Sequence, residues 1–161
     1  MANKPRKKKV VLASGIFDLL HLGHVKFLED AKKAGGENAK LVVIVARDST
    51  VEKTKGRKPI MPEDQRLVLV KSLKVVDKAV LGYEHIDIGE FIKNVKPDVI
   101  ALGYDQDEMD RRVSQYINEH NLNVKIVRIG KFDADELGSS SQIREKVVEN
   151  WRKRRSDHDY Q

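Results

Sequence analysis

Short runs of branched aliphatic residues alternate along this chain with longer segments whose apolar side chains recur every three or four positions. The runs fall at residues 9–14, 40–46, 74–81, 98–102 and 123–129. Each is rich in Val, Ile and Leu and closes near a glycine or a polar turn, which is the pattern of a strand. Leu41-Val42-Val43-Ile44-Val45-Ala46 is apolar at every position, so both faces of that strand should be covered. The helix-period segments are residues 23–34, 62–73, 86–94, 107–121 and 141–152. Gly35-Gly36 supplies a stop for the first of these, and Pro62 with Glu63 and Asp64 a start for the second. Ser139 stands three residues before Gln142, the spacing of a capping box. Strands alternating with helices predict βαβ units, hence an α/β fold with a five-stranded parallel sheet and helices on both faces. In such a sheet ligands bind beyond the carboxyl ends of the strands, near the point where strand order reverses.

Composition narrows the class. The chain has 161 residues, 40% hydrophobic and 35% charged, with no cysteine, which suits one soluble domain and excludes disulfide, thiol and thiolate-metal chemistry. No run reaches the roughly 20 apolar residues of a membrane span, and none behind the basic N-terminus could serve as a signal-peptide core. A cytoplasmic location and no membrane partner are therefore expected. The net charge of +6 comes from two clusters, Lys4 to Lys9 and Arg152 to Arg155. They read as solvated tails at residues 1–9 and 151–161, flanking a functional domain at 10–150. Nucleic-acid binding is the secondary reading of these clusters, because no interleaved aromatics accompany them.

The chemistry concentrates after the first strand, in Gly15-Ile16-Phe17-Asp18-Leu19-Leu20-His21-Leu22-Gly23-His24. Two imidazoles three residues apart at the mouth of a helix can face the space above its N-terminus, which already favours anions. Gly15 and Gly23 would let backbone come close to a phosphate. A lone histidine here would read as a turn cap, and the pair lacks a third ligand for zinc. The pair reads instead as donors to a phosphoryl group in transfer. After the second strand, Lys53, Lys55, Arg57 and Lys58 crowd a loop with Gly56 and Pro59, a basic segment able to close over phosphates. After the fourth, Asp105 follows Gly103-Tyr104, where it could cap the next helix. Ser139, Ser140 and Ser141 open the last helix and offer hydroxyl and N–H donors to a phosphate.

The first-turn string resembles the G-x-F-D-x-x-H-x-G-H signature of the cytidylyltransferase-like nucleotidyltransferases, which have a Rossmann-like fold. Val43 to Asp48 and Gly56 to Arg66 are similar to the archaeal FAD synthase branch of that family, and the resemblance spans Val10 to Val148. It implies that His21 and His24 bind the triphosphate and stabilise attack on its α-phosphorus. A loop lysine contacting phosphate falls on Lys53, Lys55 or Lys58, and Arg66 helps hold the active site. The implied catalytic set is His21, His24, Lys55 and Arg66. The implied binding set is Gly15, Ile16, Phe17, Asp18, Gly23, Arg47, Asp48, Lys58, Gly103, Tyr104, Asp105, Ser139, Ser140 and Ser141. Gly138 to Arg144 resembles the family's I-S-T-S/T-x-I-K/R motif but lacks its Ile and an arginine upstream, so Arg128 or Lys131 would have to serve. What the resemblance implies is AMP transfer from ATP to FMN with release of pyrophosphate. A divalent cation, Mg²⁺, would take most of its ligands from ATP and water, with no protein ligand assigned, and a homodimer fits the family's habit. The alternatives are a CTP-dependent enzyme acting on glycerol 3-phosphate or a phospho-amino-alcohol, and a non-catalytic nucleotide- or nucleic-acid-binding protein.

Overall fold

The computed structural model describes residues 7–85, 87–132 and 137–158, the last three as backbone only. Lys4, Arg6, Ile86 and most of the segment before Leu137 lie outside the described residues. Strands β1 (Val10–Gly15), β2 (Lys40–Val45), β3 (Lys78–Leu81), β4 (Val99–Gly103) and β5 (Lys125–Ile129) form one parallel sheet in the order β3-β2-β1-β4-β5. Among the described residues six helices accompany them: α1 (Leu22–Ala34), α2 (Asp48–Lys55), α3 (Glu63–Lys71), α4 (Ile88–Val95), α5 (Asp107–Glu119) and α6 (Ser140–His158). No described helix is long and apolar enough to cross a membrane.

The period of two along each strand sorts its side chains into two cores. Val11, Ala13, Leu41, Val43 and Val45 pack with Leu28 and Ala31 of α1 and Val70 of α3 on one face. Leu12, Ile44, Ile100 and Leu102 pack with Ile92 of α4 and Val113 and Ile117 of α5 on the other. This is the two-sided cover that the unbroken apolar runs demand. Each fully buried Val or Leu contributes about 1.5–3 kcal/mol relative to exposure. Strand order reverses between β1 and β4, so the crevice for a ligand opens at their carboxyl ends.

Three elements differ from expectation. The third strand begins at Lys78, because Val75 and Val76 meet the core from a turn closed by Val76 N–H to Leu73 O at 3.0 Å. Lys32 Nζ on the Val75 carbonyl at 3.0 Å holds that turn. The basic segment after β2 is not all loop: residues 48–55 form α2, closed by Gly56 in the left-handed region at φ 67°. Finally, α6 runs through His158 instead of stopping near Arg152, and from Glu145 to Arg155 it is exposed. The C-terminal basic cluster is therefore helical over Arg152 to Arg155. Its Ser139 cap is as expected, accepting Gln142 N–H at 3.2 Å.

Candidate active site

The turn from β1 to α1 is built under strain. Phe17 and Leu19 hold positive φ values of 54° and 49°, a region costly for side chains other than glycine. The contortion lets the Phe17 ring go inward, 2% exposed, and brings His21 to the cap position of α1. His21 and His24 then stack, ring centroids 3.7 Å apart at 24°, and Phe17 supports His24 from 5.3 Å. The His21 N–H points at His24 Nδ1 at 3.4 Å. Burial lowers the pKa of His21. It lowers that of His24 from 6.5 to about 3, with repulsion from His21 adding and Asp18 opposing.

Gly15 and Gly23 are required by packing. A Cβ on Gly23 would stand 2.5 Å from the Gly138 carbonyl oxygen, and one on Gly15 would stand 2.9 Å from the Phe17 ring. Gly23 thus lets the mouth of α1 meet the segment leading into α6. Across that junction the Ser140 hydroxyl donates to the Asp18 carbonyl. Arg144, one turn into α6, donates from Nη2 to Ser141 Oγ at 2.9 Å, while its Nη1 lies 3.9 Å from Asp18 Oδ2.

These groups line one cavity of about 1080 Å³ over the carboxyl ends of β1, β2, β4 and β5. Among the described residues, seven cationic side chains line it against four carboxylates, a balance that favours an anion. Of the residues expected in the site, His21, His24, Lys55, Gly15, Ile16, Phe17, Asp18, Gly23, Arg47, Gly103, Tyr104, Asp105, Ser139, Ser140 and Ser141 line it. A hollow of about 460 Å³ along α6 has residues of that helix alone as its wall, so no other described residue faces a ligand across it.

Three expected site residues lie elsewhere. Arg66 is fully buried beneath the site and spends its guanidinium on the carbonyls of Met61, Ile16 and Ala46 and on Asp48 Oδ1. It positions the first turn and touches no substrate space. Asp48 is consumed by that ion pair at 2.6 Å and by Glu63 N–H at 3.2 Å. Lys58 is exposed outside the cavity wall, whereas Arg57 lines it. Asp18 does line the cavity, but its two oxygens accept Ile60 N–H and Met61 N–H at 3.0 Å each, tethering the far end of the basic loop.

Of the two substitutes for the family arginine, Arg128 lies outside the cavity, bound to Asp107, Asp110 and the Tyr104 carbonyl. Lys131 lines it and sits 5.9 Å above the Tyr104 ring. Asp105 does not occupy the cap of α5; Gln106 does, and its side chain takes Gly103 N–H at 2.7 Å and reaches Ser14 O at 3.3 Å, joining β4 to β1. Arg144 is the main site residue the sequence reading left out. Its signal was the last position of the serine motif, on the same helix face as Ser140 and Ser141.

A parallel sheet with a strained turn, a stacked histidine pair and two helix mouths converging on one cavity defines a nucleotidyltransferase, and the chain belongs to the cytidylyltransferase-like family, whose model matches residues 12–146. It is 46% identical over 145 residues to the FAD synthase of Methanopyrus kandleri, covering 90% of this chain and 95% of the relative. The FAD synthase of Thermoplasma volcanium is 49% identical over 139 residues, with 86% of this chain and 94% of the relative covered. Among solved structures, a Thermoplasma volcanium protein described as acting in lipopolysaccharide core biosynthesis superposes with a TM-score of 0.69 at 48% identity, covering 78% and 98% of the two chains. A pantothenate synthetase of Thermus thermophilus, 16% identical with a TM-score of 0.56 over 80% and 58%, shares the fold.

Proposed function

We propose that this chain is an FAD synthase, transferring AMP from ATP to FMN and releasing pyrophosphate. One observation carries the assignment of the phosphate site. Among the described residues, the buried side-chain nitrogens without a hydrogen-bond partner are His21 Nδ1 and Arg144 Nη1, and both belong to side chains that line the same cavity. An unmade hydrogen bond at a buried group costs about 1–3 kcal/mol, which a triphosphate would recover.

The reaction needs no enzyme nucleophile. An FMN phosphate oxygen, already anionic, attacks the α-phosphorus in line. The bond from that phosphorus to the bridging oxygen breaks, and pyrophosphate leaves with the electron pair. Charge grows on the phosphoryl oxygens, where His21, His24 and the N–H groups opening α1 supply donors. Ser139 to Ser141, the mouth of α6 and Arg144 hold the departing phosphates. Mg²⁺ would take most of its ligands from the triphosphate and water. The FMN reading also rests on the 46–49% identity to FAD synthases.

The test is pyrophosphate release in parallel incubations of ATP with FMN and of CTP with glycerol 3-phosphate. Turnover is expected with the first pair, and turnover with the second pair alone overturns the reading. Replacing His21 or His24 by Ala should lower kcat by about 10²–10³-fold, the scale for losing one transition-state donor.

A further inference from the structure

Away from the helix mouths the crevice changes character. Between the sheet and the α4–α5 layer it becomes apolar, lined by Ile44, Leu102, Ile88, Phe91 and Met109. Most of these side chains also belong to or pack against the second core, so this arm of the cavity enters the protein interior. At its mouth stands Tyr83, just past β3. Its ring stacks on Phe91 with centroids 4.4 Å apart at 28°, and its hydroxyl accepts Asn94 Nδ2–H at 3.0 Å. The ring is thus held from two sides while it lines the cavity.

A small aliphatic phosphate has no use for a fixed aromatic ring beside an apolar arm. A flat, fused heteroaromatic does, because stacking on a preset ring needs no ordering of the wall at the moment of binding. The two halves of the crevice also differ in charge. Lys55 and Arg57, beyond β2, share the Tyr83 side and would draw in the acceptor's phosphate. Beyond β4, Tyr104 is half-exposed beneath Lys131, and the carboxylates of Asp105 and Glu108, suited to sugar hydroxyls, offset the cationic Lys131 and Arg112, so among the described residues this half carries no excess of positive charge.

We propose that Tyr83, backed by Phe91, is the shelf on which the isoalloxazine ring of the acceptor stacks, with the dimethylbenzene edge turned into the apolar arm. The inference rests on the FAD synthase reading and assigns the specificity for flavin to this side of the crevice.

The experiment compares wild type, Tyr83→Ala and Tyr83→Phe by steady-state kinetics and by quenching of FMN fluorescence on titration, which needs no turnover. Tyr83→Ala should raise KM for FMN about tenfold, the scale of one aromatic stack, and weaken quenching, with KM for ATP unchanged. Tyr83→Phe keeps the ring and should restore both. If the alanine variant proves unfolded by its melting curve, Tyr83→Leu, which keeps bulk against Phe91 but no ring, is read in its place. A folded ringless variant with wild-type KM for FMN and wild-type quenching overturns the shelf and leaves the enzyme assignment standing. A wild-type chain that neither binds nor adenylylates FMN overturns the assignment, and the shelf with it.

Discussion

His24 is pressed toward its neutral form by burial and by the His21 ring 3.7 Å away, which is why its pKa falls to about 3. A triphosphate reverses that balance, since negative charge against an imidazole favours the protonated ring. ATP binding is therefore linked to proton uptake wherever the free ring is neutral and the bound ring is not. The sign for folding follows from the same shift. Unfolded His24 takes a proton below its ordinary 6.5 and the folded ring does not, so the free protein loses stability as pH falls from 6.5 toward 3. Calorimetric titrations of ATP at about pH 6, in buffers of different ionisation enthalpy, should report net proton uptake. His24→Gln should reduce it and flatten the fall of melting temperature on acidification. Equal uptake in that variant would mean that His24 stays neutral on the triphosphate. The histidine pair was legible in the sequence because its spacing alone aims both rings at a helix mouth. Arg66 and Arg144 were not assignable that way. Both are arginines near motif residues, and only the structure tells that one is fully buried with its guanidinium bound to three carbonyls and Asp48, while the other stands in the cavity wall with one nitrogen lacking a hydrogen bond.

At the scale of elements, α2 was the part hardest to read. Asp48-Ser49-Thr50-Val51-Glu52-Lys53-Thr54-Lys55 buries only Val51, so no apolar period announces a helix. What makes one is a partner fifteen residues on. Glu63 Oε2 accepts Asp48 N–H at 2.7 Å and Asp48 Oδ2 accepts Glu63 N–H at 3.2 Å, so α2 and α3 cap each other's first turns. Arg66 and Arg47 neutralise the two carboxylates. Charges this far apart in sequence have no local signature, whereas burial is written into the strand runs, and β3, where Val75 and Val76 reach the core from a turn, departs most from its run. Asp48→Ala should remove one cap and leave the buried Arg66 guanidinium short of its counter-ion. The cost should be about 2–3 kcal/mol, below the 3–5 of a fully buried pair because the Asp48 side chain is 37% exposed. Denaturant midpoints would check it; Glu63→Ala, losing a cap but no buried partner, should cost about 1 kcal/mol. If the two variants were equal, the Arg66 pair would contribute nothing beyond the cap.

Over the whole molecule, the site is a meeting of the chain's two ends on a sheet that reverses its order between β1 and β4. Residues 21–24 and 138–144 are far apart in sequence, yet Gly23 and Gly138 touch through backbone and Ser140 bonds the Asp18 carbonyl. The topology brings them together, so their juxtaposition could be expected from a parallel α/β pattern but not measured from it. A triphosphate held by both helix mouths ties α6, which otherwise has few neighbours, to the first turn. Anything that binds the folded state alone stabilises it by mass action, about 2.7 kcal/mol at a hundredfold excess over Kd. ATP should therefore raise the melting temperature of the wild-type chain by several degrees. Gly23→Ala would put a Cβ 2.5 Å from a backbone oxygen that cannot swing aside as a side chain does, forcing the α6 mouth away from the histidines. That variant should fold with a small loss of stability, yet gain little from ATP, while FMN fluorescence quenching at Tyr83 persists because that shelf stands on β3 and α4. Equal ATP shifts in the two proteins would show that one helix mouth suffices to hold the nucleotide.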